Sequence, residues 1–385
     1  MKRFRNSYLS YFLMYSFYYL SWALFSALIS VYLMGKGFKA SEVSIVVSMS
    51  FFTSMLTQPF IGKLNERKDY KVIDSMLFLV AIIGAVAFML SDSLIMITLT
   101  YSLVLVVLNG VNPVLEKIAT ASPFQYGKIR IWGTVGYALG SQFAGILYDK
   151  VSPSSIFIVF IFTVLLCILG LCNTEPEMSV TENKDKKKHT SSSLFRNRTF
   201  LYYLLICAIF YGVTNMSNTF IPTMLTSEGL PVDVTSTILS LAVFCEAPLI
   251  LFSNRFMDQL SNKTLLLISV SLVLIQCAVY GFHLPLPIVL AATLLAKHPA
   301  GMLYIMINLK VINTIVDEEQ QIEALALVST LKNLVAIIFQ YVAGRILDIT
   351  SYGNLYLICT AFILLDLILV IFYRIGKGTD RKLFS

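Results

Sequence analysis

The feature that most constrains this chain is a series of apolar runs, each long enough to cross a bilayer. A membrane-spanning helix needs about 20 mostly apolar residues, because the hydrocarbon core is about 30 Å thick. Hydrophobic residues make up 57% of the chain and charged residues only 13%. The sequence therefore predicts an all-α membrane protein with twelve transmembrane helices, at 8–34, 42–62, 72–90, 94–120, 127–148, 154–172, 200–226, 234–254, 264–283, 286–309, 321–346 and 352–374.

The placement of lysine and arginine predicts the orientation of these helices. Cytoplasmic loops of membrane proteins carry an excess of both residues. One side of the predicted topology receives most of them, and the opposite side receives only Lys36, Lys39, Lys150 and Arg345. Both termini are therefore expected in the cytoplasm. The formal net charge of +7 is mostly this bias, so no nucleic-acid partner is expected. The first run is too long for a cleavable signal peptide.

A polar, lysine-rich segment at 173–199 separates six predicted helices from six others. Its composition is typical of a flexible linker. The expected domains are an N-terminal six-helix bundle at 1–172, a cytoplasmic linker at 173–199 and a C-terminal six-helix bundle at 200–385. The two halves contain similar segments, since 62–71 resembles 254–263 and 145–149 resembles 344–348. Parallel six-helix repeats are typical of transporters with a solute site at the bilayer midplane.

Two opposite charges flank the predicted turn at 122–125. Glu116 lies seven residues before Pro123, and Arg130 lies seven after it. At a rise of about 1.5 Å per residue, both would sit roughly 10 Å from the turn on antiparallel helices. They could form a structural ion pair or bind a polar solute. We favour solute contact, because Tyr137 lies two helical turns beyond Arg130 on roughly the same face.

Several other polar or aromatic groups lie within apolar runs. Glu246, His298 and Lys332 fall near the middle of their runs, where an isolated charge needs a counter-charge, and Lys332 is the expected cation for Glu246. His298 could instead be a core histidine, with Lys297, expected on a different face, as the functional cation. Asp366 is expected to be structural and near the cytoplasmic interface. The aromatic residues of the first run fit either a solute pathway or interface anchors: Tyr11, Tyr15, Tyr18, Tyr19 and Trp22.

The segment GKLNERKDYK at 62–71 resembles the helix 2–3 loop signature of the major facilitator superfamily. Its conformational motif would fall on Gly62, Glu66 and Arg67, although Asp69 and Tyr70 depart from the signature. The segments NPVLEK and YGKIRIWGTVGY resemble the lactose permease-like branch of oligosaccharide:proton and nucleoside:proton symporters. The resemblance spans the chain and implies two six-helix bundles.

The same resemblance implies roles for particular residues. Glu116 and Arg130 would hold solute hydroxyls, and Tyr137 would stack on a sugar ring. The resemblance also places Glu246, His298 and Lys332 in the network that couples transport to protons. The chain departs from the family pattern where Gln276 replaces an arginine, where no carboxylate follows His298, and where the helix that would pair with Lys332 offers only Asn215 and Asn218.

The function that the resemblance implies is proton-coupled uptake of a sugar, a nucleoside or a similar polar solute by alternating access. The alternative is a proton-antiport exporter of drugs or metabolites, although GTVGYALGSQFAG lacks the glycine-proline signature of that group. No enzyme motif is found, and the six cysteines lack metal-ligand spacing. The expectation is a multi-pass protein of the bacterial inner membrane, a functional monomer without cofactor or metal, whose partners are the solute, protons and lipid.

Overall fold

The computed structural model describes residues 5–67, 69–175 and 191–376, where every regular element is helical. Short 3-10 helices lie at Ser191–Arg196 and Glu318–Gln320. The α-helices are α1 (Tyr8–Ser26), α2 (Ile29–Gly35), α3 (Ala40–Arg67), α4 (Tyr70–Met89), α5 (Leu94–Thr120), α6 (Tyr126–Lys150), α7 (Ser155–Cys172), α8 (Arg198–Ser227), α9 (Val232–Phe244), α10 (Ala247–Leu251), α11 (Ser253–Phe256), α12 (Asn262–Gly281), α13 (Leu286–Ile315), α14 (Gln321–Ile349) and α15 (Tyr352–Phe372).

All twelve predicted runs are helical, and ten of them form one helix each. The first run is divided between α1 and α2, and the eighth among α9, α10 and the start of α11. Eleven helical segments of the described chain are long and apolar enough to cross a membrane. The exception is α6, whose uncharged middle contains four glycines together with Ser141 and Gln142 and is therefore less apolar than the other spans.

The predicted loop at 62–71 is mostly helical. Helix α3 continues through Gly62 to Arg67, and α4 begins at Tyr70. Asp69 caps α4, because its side chain accepts a hydrogen bond from the Lys71 N–H at 3.0 Å. The side chains of Glu66 and Arg67 lie outside the described residues, and so does most of the predicted linker.

Packing groups the helices into two compact units. The first unit contains α1–α7, the end of α8 from residue 219, and α9. The second unit contains the start of α8, up to residue 218, and α10–α15. This grouping by packing is separate from the sequence repeat, and the division into 1–172, 173–199 and 200–385 stays a prediction.

Glycines allow the backbones of the first unit to approach closely. Helix α6 packs against α1 and α9. A Cβ added at Gly136 would collide with the Ser16 carbonyl of α1, and one at Gly140 would collide with the Leu20 carbonyl. On the α9 side, a Cβ at Gly145 would collide with the Ser236 hydroxyl. This small-residue face sets the position of α6, and with it the position of Arg130.

In the second unit, α12 packs against α13 and α15. Lys310 of α13 is buried and donates hydrogen bonds to the carbonyls of Met257 and Leu260. These bonds satisfy backbone groups in the segment between α11 and α12. Lys310 therefore has a structural role, because it holds the segment between α11 and α12 against α13.

Candidate functional site

Three tyrosine hydroxyls surround the Glu116 carboxylate in the first unit. Its Oε1 accepts hydrogen bonds from Tyr15 at 2.7 Å and from Tyr19 at 2.8 Å. Its Oε2 accepts a hydrogen bond from Tyr126 at 2.9 Å. Hydrogen bonds to an ionised acceptor are stronger than those between neutral groups. The carboxylate is therefore held in one position.

The local sequence explains how these tyrosines reach Glu116. Tyr15 and Tyr19 are four residues apart, so they lie on one face of α1. Tyr126 is the first residue of α6, directly after the turn that follows α5. Asn112 lies one helical turn before Glu116 and donates a hydrogen bond to the Tyr19 hydroxyl at 3.3 Å. The site thus uses α1, α5 and α6 together.

Arg130 also belongs to this group of residues, because it contacts Tyr19. Its guanidinium carbon lies 5.6 Å from the centre of the Tyr19 ring, which is a cation–π distance. In the part of the chain that the structure describes, Arg130 forms no ion pair within 4.0 Å. Glu116 and Arg130 therefore share Tyr19 and do not contact each other as an ion pair. We call Glu116, Arg130 and their three tyrosines the Glu116 cluster.

Gly133 makes the room that the Glu116 cluster needs. A Cβ at this position would lie 2.6 Å from Tyr15 Cε1, 3.0 Å from Tyr19 Cδ2 and 3.1 Å from an Arg130 nitrogen. Any side chain here would have to displace at least one of those groups. The glycine is therefore part of the site, although it offers no polar group.

Tyr137 lies on α6, two helical turns beyond Arg130, where it is half-buried and near Tyr101. None of the hydrogen bonds of Glu116 involves it. Sequence reasoning missed Tyr126, whose only signal was its position next to the turn. It also left the aromatics of α1 open. Tyr11, Tyr15 and Tyr18 are completely buried, which excludes the role of interface anchor for these three.

The second unit contains another charged group, formed by Glu246, Lys297 and His298. Glu246 Oε2 lies 3.8 Å from His298 Nδ1, and Lys297 Nζ lies 3.0 Å from His298 Nε2. The expectation that Lys297 points to a different face is wrong, because its long side chain folds back to the neighbouring imidazole. We call these three residues the His298 cluster.

Each backbone segment of the His298 cluster contains a proline, and one of the two is interrupted. Glu246 lies between α9 and α10, where the predicted continuous helix is interrupted. Pro248 explains the interruption, because proline lacks an N–H and its ring clashes with the carbonyl four residues earlier, at Phe244, where α9 ends. Pro299 directly follows His298 inside α13 and removes one backbone hydrogen bond there. Glu246 is thus at a helix break and not in mid-helix.

Lys332 lies apart from Glu246. Its Nζ lies 5.3 Å from the centre of the Tyr211 ring, and no described carboxylate is within ion-pair distance. The expected pair of Lys332 and Glu246 is therefore not formed in this structure. Gln276, which stands in place of an arginine, is buried and donates a hydrogen bond to the Tyr280 hydroxyl at 2.9 Å.

Comparison with known proteins places this chain among membrane transporters. The model of the MFS_1 like family matches residues 8–333. The sucrose permease of Escherichia coli is 24% identical over 301 residues, which is 72% of each chain. The maltose permease of Geobacillus stearothermophilus is 24% identical over 368 residues, covering 92% of this chain and 93% of the permease.

The fold is also that of a solved transporter. The crystal structure of nucleoside transporter NupG superposes with a TM-score of 0.81, covering 95% of this chain and 98% of that protein. The sequence identity is only 15%, so this likeness establishes the fold alone. It agrees with the all-helical architecture described above.

Proposed function

This chain belongs to the MFS_1 like family, and from that premise we propose that it is a secondary active transporter that takes up a sugar, a nucleoside or a similar small polar solute with protons. Membership of the family makes the chain a multi-pass membrane transporter and not an enzyme. The names of its relatives, two of them disaccharide permeases and one a nucleoside transporter, support this class of solute.

The observation that carries the proposal is the Glu116 cluster. A carboxylate held by three phenols offers fixed acceptors, and a guanidinium without an ion-pair partner among the described residues offers several donors. Donors and acceptors side by side match the hydroxyl groups of a sugar or a ribose. Ionisable groups persist at membrane depth when they face each other or a wet cavity.

In the binding step, Arg130 donates hydrogen bonds to adjacent solute hydroxyls, and Glu116 accepts one from the solute. Arginine suits this role because its planar fork presents parallel N–H groups. Tyr137 supplies an aromatic face to the apolar side of the solute ring. The phenols of Tyr15, Tyr19 and Tyr126 keep Glu116 in place when the solute leaves.

In the coupling step, Glu246 gains and loses the transported proton. His298 Nδ1 lies 3.8 Å from Glu246 Oε2 and Lys297 Nζ lies 3.0 Å from His298 Nε2, an arrangement that supports exchange of a proton among the three. Lys332 acts from its position at Tyr211, where a movable cation can approach an acid in another conformation. The helix break at Glu246 supports such movement, since discontinuous helices are frequent at transporter sites.

The proposal includes the architecture that alternating access requires. Residues 1–172 and 200–385 form two six-helix bundles joined by 173–199, with both termini in the cytoplasm. Gly62, Glu66 and Arg67 at the end of α3 form the motif that changes with conformation. The protein works as a monomer in the bacterial inner membrane, and its partners are the solute, protons and lipid.

The experiment that tests the proposal is uptake into proteoliposomes. The purified chain is given labelled disaccharides, nucleosides and aromatic acids, each with and without an imposed pH gradient. The proposal predicts saturable accumulation of a carbohydrate or nucleoside that depends on the gradient. Uphill efflux of hydrophobic drugs, or accumulation of none of the panel by a folded protein, contradicts it.

A further inference from the structure

Helix α15 carries an acid that the mechanism above does not use. Asp366 is 0% exposed, and neither of its carboxylate oxygens has a hydrogen-bond partner among the described residues. Asp74 of α4 is equally buried, but its Oδ1 accepts a hydrogen bond from the Asn65 side-chain amide at 2.9 Å. Sequence reasoning treated Asp366 as structural, yet a structural carboxylate would have donors around it.

The polar groups near Asp366 form hydrogen bonds with other residues. On the α13 side, the Tyr304 hydroxyl points to the Cys207 sulfur of α8 at 3.6 Å. The Tyr203 hydroxyl, which lies near Cys207 on α8, donates to Asn308 Oδ1 at 3.1 Å. Both Tyr304 and Cys207 lie within electrostatic range of Asp366.

The remaining helices packed against α15 do not compensate the carboxylate either. From α12, Lys263 donates to the Ile371 carbonyl, more than one helical turn beyond Asp366. The thiol of Cys277, also on α12, lies near Cys359, two turns before Asp366. From α14, Phe339 places its ring 5.4 Å from the ring of Phe362, one helical turn before Asp366. Neither a cation nor a free donor therefore faces the carboxylate from the described parts of these helices.

We propose that Asp366 is a proton-binding site of the second unit, protonated in this conformation and deprotonated when water reaches it during the transport cycle. An ionised carboxylate without donors is expensive to bury, whereas the protonated form is much less so. Sodium or calcium would need several oxygen ligands, which a thiol and committed phenols do not supply. Asp366 lies six residues before the end of α15, roughly 9 Å along the helix, so the proton has a short path to that end.

This inference rests on the proposed proton coupling and adds a second place where a proton is held. Helix α15 lies outside the Glu116 and His298 clusters. Asp366 thus serves as a proton store in addition to Glu246. Its release would need only local opening of the packing around Cys207 and Tyr304.

The test is infrared difference spectroscopy of the full chain in liposomes, without solute, comparing the wild type with Asp366→Asn. We expect the wild type to show the carbonyl band of a protonated carboxylic acid at neutral pH, which Asp366→Asn lacks and alkaline pH removes. Asp366→Glu should restore a titrating band, and Asp74→Asn should leave the Asp366 band in place. Absence of the band from the wild type, or a band that survives alkaline pH, overturns the proposal.

A second measurement separates a proton store from a static acid. Solute exchange at equal pH on both sides should vary with pH in the wild type and at least severalfold less in Asp366→Asn, with recovery in Asp366→Glu. An unchanged pH profile in Asp366→Asn overturns the role in transport. The infrared result needs no solute, so a failed uptake panel with a titrating band would defeat the proposed function and leave the proton site standing.

Discussion

The Glu116 cluster and the His298 cluster each contain a glutamate and a basic residue but hold their carboxylates differently. Glu116 accepts three hydrogen bonds of 2.7 to 2.9 Å from tyrosines on two helices. The contact of Glu246 with His298 is longer, at 3.8 Å, and Glu246 lies at a helix break. One carboxylate is fixed by neutral donors on regular helices. The other lies at a helix break, two residues before Pro248.

This difference indicates that the surroundings of a carboxylate in a membrane can suit it either to bind a solute or to gain and lose a proton. A carboxylate with three fixed donors keeps its geometry, which suits binding of a solute with defined hydroxyl positions. A carboxylate beside a histidine and a lysine, on an interrupted helix, can change partners when the conformation changes. The first two predictions below separate these roles, and the third tests the packing that supports the Glu116 cluster.

Among these three predictions, the largest effect is expected for Glu246→Gln. This variant should lose proton-driven accumulation entirely while still exchanging solute downhill, because glutamine keeps the shape and cannot carry the proton. Alkalinisation of the medium on addition of solute measures the proton directly. Glu318→Gln, at an exposed position between α13 and α14, is the matched control. Undiminished proton uptake by Glu246→Gln would remove Glu246 from the coupling step.

A smaller effect is expected when one donor is removed from Glu116. Tyr19→Phe deletes a hydrogen bond to a charged acceptor, worth about 1.5–3 kcal/mol, and should weaken solute binding roughly tenfold to a hundredfold. Tyr126→Phe should cost less, because Tyr126 is 38% exposed and water can replace its hydroxyl. Equilibrium binding of the transported solute is the measurement.

The control for that series is Tyr11→Phe, since the Tyr11 hydroxyl donates to Asn6 at 2.8 Å and not to Glu116. Its binding should match the wild type. Equal losses for Tyr11→Phe and Tyr19→Phe would mean that the tyrosines of α1 act through general packing. The Glu116 cluster would then have no special part in recognition.

Much of this fold could be predicted from the sequence, because each span is encoded locally. The run at 94–120 coincides with α5, since an apolar stretch begins after Ser93 and ends before the turn at Pro123. The limits of α3 were missed because polar residues can continue a helix beyond its apolar part.

The site was predictable only in part, because its contacts join residues far apart in the chain. Glu116 and Arg130 stand out as charges beside one turn. Their link through Tyr19 depends on the packing of α1 against α5 and α6, about a hundred residues away. The position of Glu246 at a helix break could have been inferred from Pro248. The contact between the Lys297 side chain and His298 could not have been inferred, because the lysine side chain is flexible.

The smallest of these effects is expected for Gly133→Ala. The added methyl group would need shifts of only a few tenths of an ångström from Tyr19 and Arg130, and a larger one from the edge of the Tyr15 ring, whose Cε1 would lie 2.6 Å away. We expect binding weakened on the order of threefold. Gly127→Ala lies on the same helix with nothing within 4 Å and should bind normally. Parallel solute titrations of the two variants decide the matter, and equal affinities would show that the Glu116 cluster tolerates repacking.

The central claim is that the Arg130 guanidinium binds the solute, and the most direct test is binding by Arg130→Lys. A lysine keeps the charge but loses the planar fork, so we expect solute binding to be abolished in a protein that still folds. The measurement is equilibrium binding of the solute found by the uptake panel, with unliganded thermal unfolding as the check on folding. Arg345→Lys is the matched control, because Arg345 also lies 5.6 Å from a tyrosine ring, on an exposed part of α14. The account predicts no binding by Arg130→Lys and wild-type binding by Arg345→Lys. Normal binding by a folded Arg130→Lys would contradict it and make Arg130 a structural residue.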